Sequence, residues 1–166
     1  MPPSSGRRTS RAQSAGIVLH RTRDGALEVL LVHPGGPVWA RRDAGAWSIP
    51  KGEYSDTEDP LAAARREFEE ELGTAPPDGE ATDLGEIRQK SGKHVRAWAI
   101  AGDLDVAAIH SNTLEFEWPP RSGRLIEIPE VDRAEWFGLD AAREKINEGQ
   151  VPLLDRLEQL LGSNPG

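Results

Sequence analysis

Glu67, Glu70 and Glu71 fall within five residues of each other in the stretch GEYSDTEDPLAAARREFEEELGT, residues 52–74. On a helix, spacings of three and four bring side chains onto one face. Leu61, Ala64, Phe68 and Leu72 recur at helical spacing and make an apolar stripe that must face a core. The acidic face therefore borders the buried one. Like charges so placed oppose each other by about 0.2–0.5 kcal/mol when exposed, and by more when desolvated. A hard divalent cation with oxygen ligands, Mg²⁺ or Mn²⁺, relieves that repulsion. A solvated acidic face balanced by Arg65 and Arg66 is the alternative that these residues alone leave open. The chain has no cysteine, which excludes a thiolate metal site, a disulfide and a catalytic thiol.

The helix itself is well signalled. Asp59 suits the N-cap and Pro60 the first helical position, and Gly73 stands where a left-handed residue ends a helix. Residues 15–20 and 27–33 read as strands joined by a turn at Asp24-Gly25, a β-hairpin. A short apolar piece, 46–49, stops at Pro50. Residues 84–89 and 94–101 read as two more strands, joined at Ser91-Gly92. Leu114, Phe116 and Trp118 alternate with Glu115 and Glu117, a half-buried strand pattern. Residues 133–137 suit another strand, and 139–147 and 151–161 suit helices. The order of strands, helix, strands and helices predicts an α/β or α+β fold with a mixed β-sheet between helices. Residues 1–13, rich in Pro, Ser and Arg, read as a flexible tail, and 14–162 as one domain.

In residues 52–74 the chain resembles the Nudix hydrolases. Their signature is Gly, five residues, Glu, seven residues, Arg-Glu-apolar, one residue, Glu-Glu, one residue, Gly-apolar. Gly52, Glu58, Arg66, Glu67, Phe68, Glu70, Glu71 and Gly73 stand at that spacing, and Thr74 is the single departure. Composition alone would give such a match with a probability of about 10⁻⁵ over the chain. The resemblance implies an α/β/α sandwich. It implies metal binding by Glu67, Glu70, Glu71 and the Gly52 carbonyl, orientation of the glutamates by Arg66, and a supporting role for Glu58. It also implies a pyrophosphohydrolase that needs Mg²⁺, with Mn²⁺ as a substitute, and that cleaves a nucleoside diphosphate linked to another group X. Glu70 or Glu71 is the expected base toward water, which suits phosphoryl transfer, where positioning and charge neutralisation dominate.

Pro50-Lys51-Gly52 is similar to the sequence that precedes this signature in dinucleoside polyphosphate and diphosphoinositol polyphosphate hydrolases. Lys51 is thus a candidate for a distal phosphate, and a surface pair with Glu53 or Asp56 is its alternative. Arg88, Lys90, Lys93, His94 and Arg96 form a basic hairpin; Lys90, Lys93 and Arg96 are candidate substrate-binding residues, and a solvated sheet edge is the plainer reading. Glu117, with Glu115 behind it, is nominated as an additional catalytic carboxylate. The segment 116–123 reads as a substrate-facing loop. The expected substrate is a dinucleoside polyphosphate or a nucleoside triphosphate. A housecleaning triphosphate pyrophosphohydrolase and a catalytically silent nucleotide-binding module are the alternatives.

Composition narrows the partners. Of 166 residues, 37% are hydrophobic and 29% charged, and the formal net charge is −8. Such a balance opposes general binding of a nucleic-acid backbone, which draws on clustered Lys and Arg. No apolar run reaches the length of a membrane span, and no apolar segment follows the basic start to make a secretory signal. The expectation is a cytoplasmic enzyme with a small-molecule partner, monomeric or homodimeric.

Overall fold

The computed structural model describes residues 13–162. The expected tail therefore lies outside the described residues except for Gln13, which already belongs to the first strand. Strands β1 (Gln13–Arg23) and β2 (Ala26–Pro34) form the expected hairpin. Asp24 and Gly25 both take positive φ, 52° and 80°, as a tight hairpin turn requires. Strand β3 (Lys51–Glu53) starts after Pro50 and pairs antiparallel with β1. The apolar piece before Pro50 contributes only isolated bridges, through Trp47 and Ser48.

Helix α1 (Pro60–Leu72) starts and stops where its sequence directs. The Asp59 carboxylate accepts a hydrogen bond from the Ala62 N–H at 3.0 Å, and Gly73 closes the helix at φ 80°. Strands β4 (Thr82–Arg88) and β5 (His94–Ala101) follow, and β5 lies parallel to β1. Then come β6 (Thr113–Glu117), β7 (Leu125–Pro129) and β8 (Val131–Gly138). Helices α2 (Leu139–Lys145) and α3 (Val151–Gly162) end the described chain.

The main sheet runs β4-β5-β1-β2-β8, with β3 beside β1, and is mixed. Along β1 the side chains alternate between its faces. Ile17 and Leu19 join Ala64, Phe68 and Leu72 of α1, whereas Val18 joins Ala142, Leu153, Leu154 and Leu157 of α2 and α3. Two cores thus hold the expected helix/sheet/helix layering. Strands β6 and β7 stand apart as a separate two-stranded ribbon. Buried His33 ties down the 35–46 connection, with Nδ1 bonded to Asp132 at 2.9 Å and Nε2 to the Arg42 carbonyl at 2.7 Å. Among the described residues no helix is long and apolar enough to cross a membrane.

Candidate active site

The acidic face of α1 meets β3 at its backbone. Gly52 pairs with Ala15, and a Cβ built on Gly52 would stand 1.9 Å from Glu67 Oε1. Only glycine lets this carboxylate lie against the strand. Glu67 is 8% exposed, deeply buried for a carboxyl group. Glu71 Oε1 accepts a hydrogen bond from the Lys51 N–H at 3.3 Å. The turn from Pro50 to Glu53 and the last two turns of α1 therefore form one unit.

Arg66 organises the carboxylates. Its Nε and Nη2 donate to the two oxygens of Glu58 at 2.9 and 3.2 Å. Its Nη1 donates to Glu67 at 2.9 Å and to Glu70 at 3.2 Å. A planar guanidinium can make such a fork, and an ammonium cannot. These bonds, that to Glu58 foremost, raise the Arg66 pKa.

One carboxylate escaped the sequence reading. Glu130, between β7 and β8, lies in the field of all three helix glutamates: Glu70 raises its pKa after burial, and it in turn raises those of Glu67 and Glu71. Its backbone N–H donates to the Asn112 carbonyl at 2.9 Å, and the Asn112 N–H donates to the Glu70 carbonyl at 2.9 Å. No local pattern marks Glu130, since it follows a proline at a strand junction. The nominated Glu117 is placed differently. Its carboxylate accepts from the Gly123 N–H at 2.7 Å, within the turn of the β6–β7 ribbon. Glu115 faces Glu127 across that ribbon.

Four carboxylates thus feel one another's charge, near Arg66, already engaged with Glu58, and Lys51. Burial pushes the Glu71 carboxyl up to about 8, against the pull of Lys51 and with a further push from Glu130. Burial also raises Glu67, with Glu70 adding to the shift. Lys51 is lowered by its own burial and by the charge of Lys93. Hard oxygen donors that cannot all hold their charge unaided, together with a cradle that a Cβ would fill, fit a divalent cation. Among the described residues no group of three or more His, Asp or Glu is already gathered around a common metal position.

The basic candidates divide. Lys51 and Lys93 are close enough to influence each other, and Lys93 Nζ lies 3.4 Å from Glu53. Lys90 pairs with Glu148 at 3.0 Å, both side chains being largely exposed. Arg96 pairs with Asp83 at 2.8 Å, 5.0 Å above the Trp98 ring centre. Lys90, in the hairpin turn, is thus paired with Glu148, whereas Arg96 stands opposite Ala15, the β1 residue that also pairs with Gly52.

A family model described as the NUDIX domain matches residues 10–157. No curated protein matches in sequence. Among solved structures, the chain is similar to a C. elegans Ap4A hydrolase binary complex, with a TM-score of 0.63, 23% identity, and coverage of 92% of this chain and 98% of that one. It is similar to the NUDIX domain of Shewanella oneidensis NrtR complexed with ADP ribose, at a TM-score of 0.63 and 18% identity over 91% and 88% of the two chains. A mutT/nudix family protein from Listeria innocua gives a TM-score of 0.60 at 16% identity over 92% and 95%. At these identities the likeness is one of fold.

Proposed function

The chain belongs to the Nudix family and is a hydrolase acting on phosphoanhydrides; from that premise we propose that it is a Mg²⁺-dependent pyrophosphohydrolase of a nucleoside diphosphate linked to X, with dinucleoside polyphosphates as the preferred class. In that role Glu67, Glu70, Glu71, Glu130 and the Gly52 carbonyl would hold the cation. When bound, it neutralises phosphate oxygens and acidifies water. Arg66 holds Glu67 and Glu70 in place through its fork. A carboxylate takes a proton from the attacking water as the phosphorus–oxygen bond of the leaving group breaks. Glu71, whose oxygen already accepts from the Lys51 N–H, and Glu70 beside it on the helix are the carboxylates we assign to that transfer.

The observation that carries the substrate class is Lys51, whose N–H donates to Glu71, with Lys93 3.4 Å from the neighbouring Glu53. Two cations next to an acid cluster suit a phosphate chain longer than the cluster itself spans. The Ap4A hydrolase likeness in fold accords with this reading.

The test is phosphate release, with phosphatase added, from diadenosine tetraphosphate, nucleoside triphosphates and ADP-ribose, with and without Mg²⁺. The expected result is Mg²⁺-dependent turnover highest on the dinucleoside polyphosphate. Fastest turnover on a nucleoside triphosphate would move the protein to the housecleaning class. No metal-dependent turnover on any substrate would refute the proposal.

A further inference from the structure

The β6–β7 ribbon pairs with no strand of the main sheet. A two-stranded ribbon alone is marginally stable, so its apolar face needs a use. Register places Leu114 opposite Ile128 and Phe116 opposite Ile126, while Glu115 faces Glu127 on the other side. The ribbon is therefore amphipathic, with Leu114, Phe116, Trp118, Ile126 and Ile128 on one face. The rings of Phe116 and Trp118 stack, with centroids 6.2 Å apart and planes 21° apart. Both side chains are half-buried, whereas Leu114 remains 41% exposed.

The ribbon is rooted in the acid cluster. It leaves the cluster at Asn112, whose N–H is bonded to the Glu70 carbonyl at 2.9 Å. It returns at Glu130, whose N–H is bonded to the Asn112 carbonyl at 2.9 Å. Ile128 lies against Gly36, where an added Cβ would stand 2.7 Å from its Cδ1. At its root, the apolar face is thus turned toward the 35–46 connection. Phe116 is four strand residues beyond Asn112, about 13 Å at ~3.3 Å per residue. A nucleoside has that reach when its phosphates lie at the carboxylates.

From this rooting, reach and stacked pair, we infer that the Phe116–Trp118 face of the ribbon is the platform on which the planar heterocycle of the substrate stacks. The ribbon then sets which group X or base is accepted, separately from the anhydride chemistry. Stacking on an aromatic side chain tolerates any base, since every base has a π-face. The inference rests on the hydrolase reading for its ligand, yet it can be tested without turnover.

The experiment is calorimetric titration of ATP and of inorganic tripolyphosphate into the full chain with Ca²⁺ in place of Mg²⁺, under conditions where phosphate release is verified to be absent, repeated on Phe116→Ala, Trp118→Ala and Phe116→Tyr. Sedimentation of each variant runs in parallel. Loss of one stacking ring is expected to weaken ATP about tenfold or more. Tripolyphosphate affinity should stay within twofold, and Phe116→Tyr should bind ATP like the parent. Equal weakening of both ligands, no weakening of either, or no ATP binding by the parent overturns the inference. So does a parent dimer that dissociates in the alanine variants, because a second copy of the chain would then occupy the face. Ribbon-dependent ATP binding without hydrolysis of any anhydride in Mg²⁺ would instead refute the hydrolase proposal and leave the platform standing.

Discussion

Gly52→Ala offers a direct test of the cradle between β3 and α1. Gly52 does not take positive φ, so alanine fits its backbone, and the conflict is purely one of space. The added Cβ would lie 1.9 Å from Glu67 Oε1, 2.0 Å from Cδ and 2.6 Å from Oε2. To reach ordinary contact at 3.4 Å, the nearest oxygen must retreat by about 1.5 Å. Glu67 is 8% exposed and held by Arg66 at 2.9 Å, so the retreat breaks an ion pair and misplaces a proposed ligand together. A misplacement of about 1 Å costs roughly 10²-fold in rate, near 2.7 kcal/mol. We expect kcat/KM on the best substrate to fall about 10²-fold, with the melting temperature changed by only a few degrees. Gly138→Ala is the control, since nothing lies within 4 Å of its added Cβ. Activity of Gly52→Ala within threefold of the parent, at unchanged melting temperature, would refute the placement of Glu67 as a ligand.

Other consequences are as direct. Glu130→Gln should weaken Mn²⁺ affinity by about 10-fold or more, whereas Glu117→Gln should leave it within twofold; calorimetry decides, and the reverse order would restore Glu117. With the Glu71 carboxyl near 8, a metal must displace its proton below that pH, so affinity should rise with pH up to about 8 and then level off. By the same shift the metal-free fold binds more protons than the unfolded chain between the ordinary carboxyl range and 8, so this group's share of stability is present at low pH and lost as pH rises through 8. Metal affinity that is flat from pH 6 to 8 would contradict both statements. Arg66→Lys should lower kcat at least tenfold with less effect on KM, because an ammonium cannot hold Glu58, Glu67 and Glu70 at once; steady-state kinetics would show otherwise if charge alone sufficed. Asp59→Ala removes the bond to the Ala62 N–H and should cost about 1 kcal/mol in thermal unfolding without changing kcat.

What the chain disclosed about itself follows from the range of each interaction. Asp59, Pro60 and Gly73 bound α1 through contacts within a few residues, and the spacing of Glu67, Glu70 and Glu71 is a property of one helix. Asp24-Gly25 specified its hairpin for the same reason. Glu130 stayed hidden because it meets α1 only after the ribbon returns to the sheet. The ion partners of Lys90 and Arg96, Glu148 and Asp83, are likewise set by the fold and could not be read from the run of positive residues itself. The alternation of Leu114, Phe116 and Trp118 marked a strand, but it carried no sign that the partner would be β7 rather than the main sheet.

The hydrogen bond between Glu130 and Asn112 pins the two ends of the ribbon to one spot. The chain departs and comes home at a single address, so the intervening segment is free to vary in length and composition without moving the strands on either side. Descent with modification thus has room to trade one ribbon for another while the carboxylate end keeps its geometry.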